Sequence, residues 1–300
     1  YLNHESFASL EEDRRDRDGD IEFNWGSRMF ALALRQPLSA SMMLNARAGY
    51  TGFRGIFDTE QTSPERIDEM HARSITEDWI GAGDVVWYTR RNTAHFGIQL
   101  DRYTFAHDVA VEDYLNDETI RDFNYNRDLT TVAAYAETEW QAALSLTLRA
   151  GARLLSAGDL GSEFLPRIGI QWNASPGWVL SAGAGRYAQA MRTMRNDESL
   201  ASSFLAYDFL AAQPNEAGLA TATDAVASIE WRGGNTTVRV DGYLKHMRGL
   251  ILPREPADPQ DAPVFIVDTF RVGTGTARGL EVTARSRFAG FDFTASYAYA

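Results

Sequence analysis

The sequence predicts an all-β protein, an antiparallel transmembrane β-barrel, on three observations. Apolar and polar side chains alternate with period two along most of the 300 residues. Short turns alternate strictly with long connections, as they do when a barrel keeps tight turns on one side of a membrane and longer loops on the other. Charge is kept off the apolar faces of the strands, where aromatic residues gather instead.

Twelve alternating segments are read, near 21–35, 40–53, 79–90, 93–105, 129–141, 144–156, 164–173, 178–190, 224–232, 236–250, 275–288 and 291–300. The first is the weakest, because its parity slips near Ser27, and a bulge is expected there. Segment 144–156 is the clearest. Leu144, Leu146, Leu148, Ala150, Ala152 and Leu154 share one face, and Ser145, Thr147, Arg149, Gly151 and Arg153 share the other. In 275–288 Leu280, Val282, Ala284 and Phe288 oppose Glu281, Thr283, Arg285 and Arg287. In 291–300 Phe291, Phe293, Ala295, Tyr297 and Tyr299 oppose Asp292, Thr294 and Ser296. Short turns fall near 36–39, 91–92, 142–143, 174–177, 233–235 and 289–290. Long connections are expected at 54–78, 106–128, 157–163, 191–222 and 251–273.

Trp140, Trp172, Trp178, Trp231, Phe288 and Phe291 each lie close to a short turn and on the apolar parity, which reads as an aromatic girdle at one membrane interface. The chain carries 41 acidic and 29 basic residues, a net charge of -12. The five long connections alone hold a balance of -15, whereas the segments and short turns carry +7. A charge facing lipid at the midplane costs ~2–4 kcal/mol, so this sorting is what a barrel wall imposes. Arg102, Arg186 and Arg278 break parity only near the long-connection ends. A mean hydropathy of -0.32 does not oppose the reading, because a barrel strand needs only every second residue apolar.

Other chemistries find little support. With no Cys, disulfide scaffolds, thiolate metal sites and cysteine nucleophiles are excluded for this chain. The Gly-rich runs near 182–185 and 273–279 lead into strands, not from a strand into a helix, so they do not read as phosphate loops. Five His without metal-ligand spacing give no metal site. The acidic stretch 106–128 lacks the spacing of a calcium loop and reads as a solvated loop. No cofactor is expected. Basic residues form no stripe, and an acidic exterior repels nucleic acid.

Three stretches resemble the barrel of TonB-dependent outer-membrane receptors. The hairpin Ala134-Tyr135-Ala136-Glu137-Thr138-Glu139-Trp140 with Leu146-Thr147-Leu148-Arg149-Ala150-Gly151-Ala152-Arg153 looks like that family's mid-barrel hairpin. Leu165-Pro166-Arg167-Ile168-Gly169-Ile170 followed by Tyr187-Ala188-Gln189-Ala190 is similar to its Pro-Arg-x-Gly hairpin. Gly279-Leu280-Glu281-Val282, then Phe293-Thr294-Ala295-Ser296-Tyr297, is similar to its Gly-x-Glu strand and the strand after it. The resemblance implies a bacterial outer-membrane receptor that takes up a scarce nutrient of the siderophore, cofactor, glycan or peptide class. Its expected partners are outer-membrane lipid, that extracellular nutrient and a TonB-type energy-coupling protein.

The resemblance also implies an N-terminal plug and further C-terminal strands that this chain does not carry. Residues 1–300 are therefore expected to be one slice of a single barrel of 22 strands. A passive porin and, behind it, a barrel-embedded enzyme are the competing readings. No catalytic residues are expected. On the lumenal parity, Arg149, Arg153, Arg167, Arg239, Arg285 and Arg287, with Glu137 and Glu139, are the candidates to face ligand or plug.

Overall fold

The computed structural model describes residues 2–7, 18–63, 66–113, 118–193, 210–253, 270–288 and 290–300. Twelve long strands follow one another in the order of the predicted segments. They are β2 (Asp18–Ser39), β3 (Met42–Ser63), β4 (Arg66–Tyr88), β5 (Asn92–Asp113), β6 (Glu118–Ala143), β7 (Leu146–Ser156), β8 (Ser162–Ser175), β9 (Trp178–Gln189), β12 (Ala220–Gly233), β13 (Thr236–Pro253), β14 (Phe270–Phe288) and β15 (Phe291–Tyr299). A short strand, β1 (Leu2–Phe7), adds to the edge of β2, and two three-residue strands, β10 (Met191–Thr193) and β11 (Leu210–Ala212), pair with each other. The main sheet is an antiparallel meander of thirteen strands, each paired with its sequence neighbour apart from the step from β9 to β12. Its two edges, β1 and β15, do not pair with one another. No helix among the described residues is long and apolar enough to cross a membrane.

The expected bulge near Ser27 is absent. Pairing of β2 with β3 runs unbroken from Asp18↔Thr62 to Pro37↔Met43, and the one irregularity lies between Pro37 and Ser39 at the short turn. Proline has no N–H to give the ladder, which is why the shift falls there. The slipped parity therefore reflects small or apolar residues on the inner face, not an extra residue in the strand.

Two expected loops are strands instead. Residues 54–63 and 66–78 continue β3 and β4 in register, and 106–113 and 118–128 continue β5 and β6. Beyond the hydrocarbon no solvent enforces an apolar outer face, so these extensions pair without alternating. The shorter connection after β7 holds one 3-10 turn, Gly158–Leu160. Residues 194–209 and 254–269, within the other expected long connections, lie outside the described residues.

The outer face is an apolar band. Phe96 and Ile98 on β5, Val132 on β6, Leu154 on β7, Ile168 and Ile170 on β8, Ile229 on β12, Leu244 on β13 and Leu280 on β14 are exposed. Such a contiguous surface far exceeds what a water-soluble monomer tolerates and is the surface that lipid covers. At the short-turn end all six expected girdle residues are exposed, from Trp231 at 37% to Phe288 at 74%. Trp178 lies directly across from Trp231, and Phe288 across from Phe291. Trp87, also exposed, extends the same belt.

The buried core lies elsewhere, on the inner face toward the long-connection end. Phe105, Leu129, Ala133, Leu155 and Leu165 project inward from β5 to β8 and pack with Leu160, Ala190, Ala212 and Leu219. The segment around β10 and β11 therefore folds into the barrel and is fastened to its wall.

Candidate functional site

Register fixes the lumenal side chains. A strand rises roughly 3.3 Å per residue and tilts by about 45° in a barrel, so height above the short turns grows by roughly 2.3 Å per residue. Arg149, Arg239 and Arg287 stand within four residues of a short turn and form a low band. Arg153 and Arg167 stand eight or nine residues up and form a high one.

These three low arginines each hold a carboxylate. Arg149 and Glu139 are cross-strand partners, and Arg149 Nε donates to Glu139 Oε2 at 2.7 Å. Arg239 grips Asp241, two residues on in β13, with Nε and Nη2 donating at 2.7–2.9 Å. Arg287 lies across from Asp292 and donates from Nε at 2.7 Å and from Nη2 at 3.2 Å. Forked donation of this kind matches the planar geometry of a carboxylate. These three arginines are internally neutralised.

The high band is built differently. The Arg153 guanidinium lies 5.8 Å from the ring centre of Tyr135, its cross-strand partner, and that of Arg167 lies 4.8 Å from the ring centre of Tyr187. Both distances fall within the ~6 Å reach of a cation–π contact. Arg153 Nη2 also approaches Gln99 Oε1 at 3.4 Å. Gln99 donates in turn to both oxygens of Asp101 at 2.9 and 3.0 Å, and Thr131 donates to Asp101 at 3.1 Å. Asp101, 3% exposed, is thus satisfied by neutral donors. Asp84, near by on β4, accepts from Asn45 at 2.8 Å. Arg47, Arg153 and Arg167 line one recess of about 250 Å³ together with Tyr135, Gln99 and Glu137. Among the described residues none of these three arginines forms an ion pair.

Arg285 also stands four residues from a short turn but is not neutralised like its low neighbours. It shares a recess of about 490 Å³ with Glu230, Asp241 and Glu281 and forms no ion pair among the described residues. The eight expected lumenal residues are therefore on one wall but not in one site. Glu137, Arg149 and Arg167 line a recess of about 530 Å³ with Glu139 and Arg239, Glu137, Arg153 and Arg167 line the higher one, and Arg287 lines another of about 500 Å³ with Arg285 and Asp292. Two of the parity-breaking arginines have carboxylate partners, Arg102 with Asp128 at 3.5 Å midway along β5 and β6, and Arg186 with Glu163 at 2.7 Å near the strand tops.

Sequence reasoning left Arg47, Tyr135, Tyr187 and Gln99 out of the site. The missed signal is an aromatic on the polar parity facing a glycine. Tyr135 lies across from Gly97, and a Cβ added to that glycine would overlap the tyrosine ring. Tyr243 covers Gly279 in the same way. Absence of a side chain lets the ring lie along the wall, where it can carry a guanidinium.

Above the recess stands the fastened segment. Leu155 and Leu165, two residues beyond Arg153 and Arg167, belong to the core it joins. Arg127 Nη1 donates to the Gln213 carbonyl at 2.9 Å, and Nη2 donates to Asp159 at 3.1 Å and to Asn215. The Ala212 N–H donates to the Tyr125 hydroxyl at 3.2 Å. His107, fully buried, stacks on Tyr125 and places Nε2 2.7 Å from the Leu210 carbonyl and Nδ1 2.9 Å from Ser74 Oγ. A carbonyl only accepts, so Nε2 carries the proton and Nδ1 accepts from the serine. Burial holds this imidazole below its ordinary value, opposed by the Leu210 carbonyl and the Asp108 charge. His107 lies fifteen residues past the start of β5, beyond the ~9–11 residues that cross the hydrocarbon.

An outer face dressed for lipid, an inner face lined with charge and one-sided turns define a wall of a transmembrane β-barrel. The family model described as TonB dependent receptor-like, beta-barrel, matches residues 4–300, and the chain belongs to that family. No curated protein matches the sequence. Solved structures do. The ferric yersiniabactin uptake receptor FyuA from Yersinia pestis aligns with a TM-score of 0.64 and 12% identity over 93% of this chain and 43% of that one. The copper transporter OprC aligns with a TM-score of 0.61 and 15% identity over 95% of this chain and 47% of that one. The siderophore receptor PirA from Pseudomonas aeruginosa aligns with a TM-score of 0.55 and 11% identity over 95% and 60%. At such identities the likeness is one of fold. The chain spans between 43% and 60% of the length of these three solved chains.

Proposed function

We propose that this chain forms part of the barrel of a Gram-negative outer-membrane receptor that takes up a scarce nutrient of the siderophore, cofactor, glycan or peptide class by TonB-coupled transport. On this reading it is a carrier without catalytic residues, and residues 1–300 are one stretch of a larger single barrel. The supporting observation is the asymmetric inner wall, with Arg149, Arg239 and Arg287 neutralised near the short turns and a high recess of unpaired arginines beneath a fastened segment. A passive pore gains nothing from such a roofed recess, whereas a receptor needs a place where a ligand waits for an energised step. Membership of a receptor-barrel family and the uptake and transport proteins among its structural neighbours support the same reading.

Energised uptake is the test. The complete gene product, expressed in cells lacking their own receptors, should support accumulation of one nutrient class at nanomolar supply. Accumulation should stop when the proton-motive force is collapsed or the coupling protein is deleted. Uptake that persists under both treatments and rises linearly with concentration would make the protein a passive channel.

A further inference from the structure

We propose that Arg47, Arg153 and Arg167, with Tyr135 and Tyr187, form a binding site for the carboxylate- or phosphate-bearing end of a small ligand. This deepens the receptor reading and rests on it for the ligand's route, not for the chemistry of the site. Three features of the wall carry the inference.

The first is charge. The recess of about 250 Å³ gathers three guanidiniums against one carboxylate, Glu137, a balance of +2. The two other acids near by, Asp84 and Asp101, accept hydrogen bonds from Asn45, Gln99 and Thr131 and form no ion pair with these arginines. By contrast Arg149, Arg239 and Arg287, on the same face, each hold a carboxylate of their own.

The second is preparation. The guanidiniums of Arg153 and Arg167 already lie against tyrosine rings at 5.8 and 4.8 Å. A ring holds a guanidinium without cancelling its charge, and the N–H groups not given to Gln99 remain for a planar acceptor. Carboxylate and phosphate are the anions that such an edge binds in a fork.

The third is enclosure. Leu155 and Leu165, two residues above the arginines, are buried under the fastened segment with Ala212 and Leu219. The recess therefore opens to the lumen and not straight up the wall. Its size suits a small anionic group and not a folded element.

Citrate and inorganic phosphate serve as probes. Titration calorimetry on the complete protein in detergent, at low and high salt, should show citrate binding that weakens with salt. Arg153→Gln combined with Arg167→Gln should weaken it at least tenfold, and Glu137→Gln should tighten it. Arg287→Gln should leave it unchanged, and Arg153→Lys with Arg167→Lys should recover part of the loss. Weaker binding of phosphate than of citrate assigns the site to carboxylates, and the reverse assigns it to phosphate.

The proposal is overturned if neither anion binds, if Arg287→Gln costs as much as the double variant, or if the double variant lowers the melting temperature while anion affinity is unchanged. The last result would make these arginines an anchor for protein inside the barrel. Citrate binding with this mutational pattern in a protein that shows no energised uptake would refute the receptor reading and leave the site standing.

Discussion

The low and high bands of the inner wall use the same residue, arginine, on the same face and treat it in opposite ways. Near the short turns a strand ends within a few residues, and an arginine finds a carboxylate across the hairpin or two residues along. Higher up, glycines such as Gly97 leave room for tyrosines to lie along the wall, and the arginines rest on rings. Lumenal parity alone therefore does not make a site. A neighbour that holds the guanidinium without cancelling its charge does.

The largest effect that separates the bands is packing. Leu165, 2% exposed, joins the high wall to the fastened segment, so Leu165→Ala should cost about 2–5 kcal/mol of stability. Urea unfolding in a lipid bilayer measures this. A change below about 1 kcal/mol would mean that the segment is not packed on the wall.

Gly97→Ala comes next. The new methyl would overlap Tyr135, and overpacking of this kind costs about 1–3 kcal/mol. Pairing it with Tyr135→Phe should not rescue it, because the ring itself is the obstacle, whereas Tyr135→Ala should. Rescue by phenylalanine would place the clash at the hydroxyl.

A smaller effect depends on pH. His107 is held below its ordinary value of 6.5, so the docked segment binds fewer protons than a released one. Docking is then at full strength above 6.5 and weakens as pH falls through that value. Hydrogen exchange at the Ala212 and Gln213 amides, corrected for intrinsic rate, should accelerate between pH 7.5 and 5 and lose that dependence in His107→Gln. An unchanged profile in the variant would assign the pH effect to other groups, Asp108 first among them.

The smallest effect belongs to the low band. The Arg149–Glu139 pair is exposed, at 61% and 52%, so Arg149→Gln should change stability by no more than ~1 kcal/mol. A double-mutant cycle with Glu139→Gln reads the pair directly. A coupling well beyond that would show the low band to be a structural network.

The twelve membrane strands were legible because lipid on one side and water on the other force alternation. Leu148 and Arg149 could be assigned to opposite faces from sequence alone. Outside the hydrocarbon that constraint ends, so the continuation of β3 to β6 through residues 54–78 and 106–128 read as loop. The fastened segment was invisible for a related reason. Leu210-Ala211-Ala212-Gln213-Pro214-Asn215 has the composition of a turn, and only its contacts with Tyr125, Arg127 and His107 bury it. Parity placed all six lumenal arginines on one face, but partners across strands are set by register. Register separated Arg149 with Glu139 from Arg153 with Tyr135.

Everything above rests on one wall with lipid on one side and a wet lumen on the other. The chain has no native cysteine, so single Cys substitutions at Leu148, Ile168 and Ile170, and at Arg149 and Arg167, can be read cleanly in membranes. A bilayer-dissolved maleimide should label the first three and spare the arginine positions, and a charged water-soluble maleimide should do the reverse. Equal labelling of Leu148→Cys and Arg149→Cys by either reagent would contradict the account.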